Sequence, residues 1–224
     1  MGCPLCGERE ISHYLTDKIR SYHQCSQCEL VFVESSEHVT VEEERGYYEL
    51  HENDPTDDGY RKFLSRIASP LLQRLAPCSS GLDFGCGPGP TLSQMLIEKG
   101  HRVSLYDLFF YPDKSTLESQ YDFVTATEVV EHLARPGSEL DRLWSMVKGG
   151  GWLALMTKLV IDREAFSRWH YKNDPTHISF FSEPTFRWLA NKWSVEPEFI
   201  GRDVILFRKP ELEGHTDPSQ IVID

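Results

Sequence analysis

The segment Gly81-Leu82-Asp83-Phe84-Gly85-Cys86-Gly87-Pro88-Gly89 constrains this chain more than any other. A short apolar run breaks into glycines at alternating positions. Residues 90–99 then open on Pro-Thr and carry Leu92, Met95 and Leu96 at helical spacing. That order predicts strand, glycine turn and helix. Glycine is needed where a backbone must turn sharply and let a ligand approach its N–H groups with no Cβ in the way. A dinucleotide loop reads GxGxxG, whereas this one reads Asp-x-Gly-x-Gly-x-Gly, with an acid two residues before the first loop glycine. The carboxylate of Asp83 suits an ammonium group better than a pyrophosphate.

Residues 102–107 alternate as a strand and end on Asp107, about 20 residues past the loop, where a ribose-binding carboxylate belongs in a βαβ unit. Next come a strand at 121–127, a helix carrying Leu140, Leu143, Trp144 and Val147, a Lys148-Gly-Gly-Gly turn and a strand at 152–157. A capped helix at 182–193 and runs at 194–200 and 203–208, fit for an antiparallel hairpin, complete an α/β chain. The Asp83–Gly89 loop resembles motif I of the class I S-adenosylmethionine (SAM) methyltransferases, and Glu128-Val-Val-Glu131-His132-Leu133 resembles the end of their central strand. The resemblance covers about residues 60–210. It implies a Rossmann-like sheet of seven strands, with SAM held by Asp83, Gly85, Cys86, Gly87, Gly89, Asp107, Leu108, Thr127 and Glu128. One departure stands out: thirteen residues separate Asp107 from Tyr121, too few for the helix and strand that usually intervene, so no adenine contact is assigned there.

Cys3-Pro-Leu-Cys6 and Cys25-Ser-Gln-Cys28 are two CxxC pairs separated by 18 residues. This is zinc-ribbon spacing, in which two thiolate knuckles close a four-sulfur structural site. Two disulfides and a redox CxxC are the alternatives; a reducing compartment disfavours the first, and the second has no need of another copy. The organisation expected is a zinc ribbon at 1–34, an acidic linker at 35–59, a methyltransferase domain at 60–210 and a tail at 211–224. A helix at 60–75 presents Phe63, Ile67, Leu71, Leu72 and Leu75 on one face and packs on the sheet edge or over the cofactor pocket. Tyr47 and Tyr48 either pack against that helix or close the pocket.

Methyl transfer needs a positioned and often deprotonated nucleophile, so the acceptor side should hold a base or a metal. Two clusters qualify: Glu128-Val-Val-Glu131-His132, and His170-Tyr-Lys-Asn-Asp174-Pro-Thr-His177. His177 is the first candidate for base, with His170 and Glu131 behind it. His170 also reads as a packed edge beside Trp169. Glu128, Glu131 and His132 would share one side of a helical turn, and with His177 they form a ligand set for a second divalent cation. ExxEH with a downstream His resembles the metal motif of small-RNA 2′-O-methyltransferases, and ExxEH occurs in the ubiquinone-pathway O-methyltransferases. The same run also occurs without metal, its first Glu bordering the cofactor.

At 224 residues and 40% hydrophobic, the chain can bury one sizeable core and a small appendage. No apolar run reaches membrane-spanning length and the first residues lack a signal-peptide pattern, so a cytoplasmic location with no membrane insertion is expected. A net charge of −12 argues against holding nucleic acid by broad phosphate neutralisation. The leading expectation is O- or C-methylation of a small-molecule acceptor. Two readings compete with it: an RNA methyltransferase using the ribbon for recognition, and a SAM-binding adaptor presenting the ribbon to a protein. The first calls for a basic ribbon, yet residues 1–50 hold four Lys or Arg against ten acids.

Overall fold

Strands and helices alternate from residue 58 onward, an order that favours parallel strands joined by crossover helices. The computed structural model describes residues 2–49 and 54–211; residues 50–53 of the expected linker and 212–224 of the expected tail lie outside the described residues. The N-terminal part contains β1 (Ile11–Thr16), β2 (Ser21–Cys25), β3 (Val31–Val33), α1 (Val41–Glu49) and α2 (Asp58–Leu72). The middle runs β4 (Ser80–Phe84), α3 (Thr91–Ile97), β5 (Arg102–Tyr106), β6 (Tyr121–Thr127), α4 (Pro136–Met146) and β7 (Val147–Met156). The last part holds α5 (Arg163–Ser167), β8 (Ser179–Phe180), α6 (Glu183–Trp193), β9 (Pro197–Ile200) and β10 (Val204–Arg208).

The central sheet has the order β5-β4-β6-β7-β10-β9. Its first four strands are parallel, and β10 runs antiparallel between β7 and β9. One face buries Leu82, Val124, Leu153 and Phe207 with Leu140, Leu143, Phe186 and Leu189 of α4 and α6. The other buries Phe123, Trp152 and Leu206 with Leu64, Ile67, Leu71, Leu92 and Leu96 of α2 and α3. Among the described residues the sheet has six strands where seven were expected. The short span between Asp107 and Tyr121 is the reason, for it accommodates only a 3-10 helix, Lys114–Glu118, and an isolated Asp107–Tyr111 bridge. No helix among the described residues is long and apolar enough to cross a membrane.

The cysteine-bearing strands form a second antiparallel sheet, β1-β2-β3-β8, whose last strand comes from beyond residue 178. Its core includes Tyr22, Val31, Phe166, Tyr171 and Phe180. The ribbon is thus stitched into the larger unit, through β8 and through α4, where Gly137 N–H donates to the Pro4 carbonyl at 3.3 Å. A Cβ at Gly137 would lie 2.2 Å from the Leu5 carbonyl oxygen, so only glycine permits this approach.

Part of the expected linker is helical. Thr40 and Glu43 form a reciprocal cap, Glu43 N–H to Thr40 Oγ1 at 3.3 Å and Thr40 N–H to Glu43 Oε2 at 2.9 Å. Glu42, Glu43 and Glu44 fill the first turn of α1, where carboxylates favour the helix dipole. The acidity read as linker composition therefore starts a helix.

Candidate active site

A cavity of ≈ 850 Å³ opens at the carboxyl ends of β4, β5 and β6, the position at which open α/β sheets bind ligands. One part of it is built by the glycine loop. Gly85 and Gly87 have φ of +71° and +65°, and a Cβ at Gly85 would lie 2.5 Å from Val129 Cγ2. Gly85 N–H donates to the Tyr106 carbonyl at 2.7 Å, which ties the loop to the end of β5. Asp107 Oδ1 accepts from the N–H groups of Phe109 (2.9 Å) and Phe110 (3.0 Å), and Oδ2 accepts from Gly87 N–H at 3.0 Å. With one such bond, Oδ2 keeps acceptor capacity toward the cavity. Asp83 is buried, its Oδ2 bonded by Ser93 Oγ (2.7 Å) and its Oδ1 by Thr125 Oγ1 (2.8 Å). Burial pushes its carboxyl up, against those two hydroxyls.

All nine residues expected to hold the cofactor line this cavity: Asp83, Gly85, Cys86, Gly87, Gly89, Asp107, Leu108, Thr127 and Glu128. Thr127 Oγ1 and Glu128 Oε1 are buried polar atoms with no hydrogen-bond partner among the described residues. A positive-φ glycine cradle, a carboxylate with spare acceptor capacity and two unpartnered polar atoms fit a ligand with ribose and amino-acid groups. Tyr60 and Phe63 of α2 also line the cavity, as the pocket-side placement of that helix required.

The other part of the cavity gathers distant segments. His132, Asp174 and His177 line it, with Glu44 and Tyr48 from α1. The Tyr48 ring meets His132 edge-on at 5.3 Å and lies 5.8 Å from Phe109. Tyr48 therefore closes the cavity, while Tyr47 is 43% exposed. His177 Nδ1 lies 2.7 Å from the Tyr171 carbonyl, and His132 Nδ1 3.2 Å from the Thr176 carbonyl. A carbonyl only accepts, so each Nδ1 carries a proton, and in the neutral form of His177 the Nε2 lone pair is left to act. The two rings are 4.7 Å apart. Burial lowers the His177 pKa, against the pull of Asp174, whose carboxylate is 3.9 Å from Nε2. The ring is therefore neutral near pH 7.

Two site expectations are corrected. His170 does not line the cavity; its Nε2 accepts from Lys158 Nζ at 3.3 Å on the exposed side of the 3-10 helix His170–Asn173. The helical turn expected to gather Glu128 with Glu131 and His132 does not form, because Glu128 is left-handed (φ 52°) and the helix, of 3-10 type, starts at Val130. Glu131, His132 and His177 do converge, with ligand atoms within 4.8 Å of one another, and Glu128 stands outside that group. Glu131 is wholly buried. Its Oε1 accepts from the Tyr171 hydroxyl and its Oε2 has no partner among the described residues. Tyr171 also bonds Glu128 Oε2 at 3.2 Å. The two carboxyls thus share one phenol. Burial raises Glu128 to about 7 and Glu131 to about 8. Tyr171, inside the run singled out in the sequence, is the bridging residue that the search for bases overlooked.

The four ribbon cysteines converge as well. Cys3 and Cys28 Sγ are 3.5 Å apart, Cys6 and Cys25 Sγ 3.4 Å, and all four lie within 4.8 Å of one another. A disulfide needs about 2.05 Å, whereas tetrahedral zinc with bonds of about 2.3 Å places sulfurs about 3.8 Å apart. A hydrogen bond from Cys28 lowers Cys3 to about 5, while burial raises Cys6 to about 12. The protein alone does not hold four thiolates together, and a bound dication would.

A family model described as a methyltransferase domain matches residues 59–193. Over 91 residues the chain is 29% identical to the ubiquinone biosynthesis O-methyltransferase of Shewanella pealeana; the match spans 41% of this chain and 39% of that protein, well under half of either. The 1,6-didemethyltoxoflavin-N1-methyltransferase of Burkholderia thailandensis, solved with 1,6-didemethyltoxoflavin and S-adenosylhomocysteine (SAH), is similar in structure. Its TM-score is 0.52 at 15% identity, over 89% of this chain and 100% of that one. Magnesium protoporphyrin IX methyltransferase of Synechocystis PCC 6803, solved with SAH, reaches 0.50 at 12% identity, over 75% and 95%. At such identities the likeness speaks for the fold, which agrees with the strand order and the place of the cavity. The family match covers more than half of the sequence, and the chain accordingly belongs to the methyltransferase-domain family.

Proposed function

We propose that the chain methylates an oxygen or carbon of a small-molecule acceptor, with His177 as the base. SAM, when bound, supplies a methyl group on a positively charged sulfur. The carrying observation is the anchored His177 imidazole, whose Nδ1–H is committed to the Tyr171 carbonyl at 2.7 Å. Its Nε2 takes the proton of an acceptor hydroxyl or activated C–H as the methyl is received, and the sulfur leaves as a neutral thioether. Asp107 holds the ribose and the Gly85–Gly89 loop the amino-acid end. Tyr48 and Phe109 close the acceptor side against water. The ribbon's four cysteines hold a structural zinc. Incubation with methyl-labelled SAM and pools of hydroxylated metabolites tests this reading. Label should enter a small product, and His177→Gln should slow transfer by about 10²–10⁴-fold without changing SAH affinity. Label in RNA or protein only, or an unimpaired His177→Gln, overturns it.

A second reading is favoured by Oε2 of Glu131, which has no partner among the described residues, and by the approach of Glu131, His132 and His177 ligand atoms to within 4.8 Å of one another. Glu131, His132 and His177 would then hold a divalent cation that acidifies the acceptor hydroxyl. Manganese binding that disappears in His132→Ala while the ribbon zinc stays would support it, and no manganese binding would remove it.

A further inference from the structure

We propose that Arg20, in the cysteine ribbon, is a positioning residue for both active-site imidazoles: its guanidinium fixes the peptide planes of the segment from which His177 and His132 are oriented. The proposal rests on the reading that the His177 Nε2 lone pair works on the acceptor, as base or as ligand.

Arg20 sits in the turn between β1 and β2, more than 150 residues away in sequence from its partners, and is 6% exposed. Its Nη2 donates to the carbonyls of Lys172 (2.7 Å) and Asp174 (2.8 Å), and its Nη1 donates to the carbonyl of Pro175 (3.0 Å). These carbonyls lie at or just past the end of the 3-10 helix His170–Asn173, where helix geometry leaves acceptors unpaired. A planar fork of fixed donors matches them in a way that a single ammonium does not.

The carbonyls on either side of this set orient the imidazoles. Tyr171 O takes the Nδ1–H of His177, and Thr176 O takes that of His132. Along the chain, carbonyls 172, 174 and 175 are held by Arg20, and 171 and 176 hold the histidines. The clamped Asp174 carbonyl also accepts the His177 N–H at 3.2 Å, and carbonyls 171 and 176 adjoin the clamped set in the chain, so a displacement that freed the clamped carbonyls would carry both histidine-holding carbonyls with it. The two imidazoles would then lose the orientation that these carbonyls set.

Arg20 is itself held. Its Nε donates to the Tyr22 hydroxyl at 3.1 Å, which donates to Asp17 Oδ2 at 3.0 Å. The same carboxylate accepts from Lys172 Nζ at 2.5 Å, with Lys172 6% exposed. Strand β2 runs from this turn directly to Cys25, a member of the four-sulfur cluster. The ribbon thereby reaches the acceptor side without lining the cavity. It acts through the backbone of residues 171–176.

Proton–nitrogen correlation spectra of the zinc-loaded full chain, saturated with SAH, read the histidine tautomers directly. The wild type should show His177 and His132 as the Nδ1–H form. Arg20→Lys keeps the charge but loses the fork, and should turn both rings into tautomer mixtures while zinc content and SAH affinity stay unchanged. Wild-type tautomers in Arg20→Lys would overturn the proposal. Should that variant not fold, Tyr22→Phe removes only the hydroxyl that steadies Nε, and a smaller change in the same direction is expected; no change there also overturns it. An unimpaired His177→Gln would remove the base assignment yet leave the tautomer result standing, so the two failures separate.

Discussion

The two parts of the cavity are made in different ways. The cofactor part is mostly local: β4, the glycine loop, α3 and β5 follow one another within residues 80–107, its key bonds join Asp107 to Gly87, Phe109 and Phe110, and α2 and the end of β6 are added from elsewhere. The acceptor part draws on α1, on residues 128–132 and on residues 170–177, and it is secured from a fourth place, the ribbon turn at Arg20. Contiguous sequence with backbone-made contacts tolerates change elsewhere in the chain. A site assembled from separate segments depends on whatever holds those segments together.

The largest test of that contrast is Cys25→Ser. Structural zinc contributes on the order of 10 kcal/mol to small ribbons, so the variant should lose its zinc and the hydrogen-exchange protection of β1–β3. Elemental analysis and exchange measurements follow both. The acceptor part should loosen with the ribbon, seen as mixed tautomers at His177, while SAH still binds. Retained stoichiometric zinc would count against the four-cysteine site, and loss of SAH binding would show that the two parts are less separable than their construction suggests.

Asp107→Ala makes the opposite cut. Removing a carboxylate that accepts three backbone N–H groups should weaken SAH binding by about 1.5–3 kcal/mol, roughly tenfold to hundredfold in Kd by calorimetry. The His177 and His132 tautomers should be untouched. Unchanged SAH affinity would remove the ribose assignment.

The same contrast explains what could be read from the residues alone. The glycine loop, Asp107 and the four cysteines lie in short contiguous patterns, where spacing dictates geometry, and the structure brings the first two to the cavity and the cysteines into one cluster. The helical turn at Glu128 was misread because one left-handed residue, not visible in the pattern, ends β6 and sends the chain elsewhere. The Thr40–Glu43 capping box is written in the sequence as Thr-x-x-Glu, a signal that the linker reading of this acidic segment did not use. Arg20 carried no local signal: its partners are carbonyls more than 150 residues away, and backbone acceptors leave no mark on side-chain identity. His170 looked as good as His177 because the sequence does not tell which of two nearby imidazoles faces a cavity.

The smallest effect sharpens the comparison by sign. In the cofactor part, burial raises the Asp83 carboxyl, against the hydroxyls of Ser93 and Thr125. The folded state holds that proton more tightly than the unfolded chain, whose aspartates titrate near pH ~3.9. Its stabilising contribution is therefore complete at low pH and declines as pH rises through the folded value. In the ribbon turn that secures the acceptor part, burial also pushes Asp17 up, but the Lys172 ammonium and the N–H groups of Ile19 and Arg20 outweigh it and hold the carboxyl well below the usual range. Its contribution is present above about pH 4 and is lost as pH falls through the folded value. Urea denaturation from about pH 3 to 7 should show opposite consequences for two isosteric changes. Asp83→Asn should flatten the decline with rising pH, and Asp17→Asn should flatten the loss on acidification. If both variants altered the same limb, the two parts would share one electrostatic environment, and the clamp at Arg20 would not be the separate support that its geometry describes.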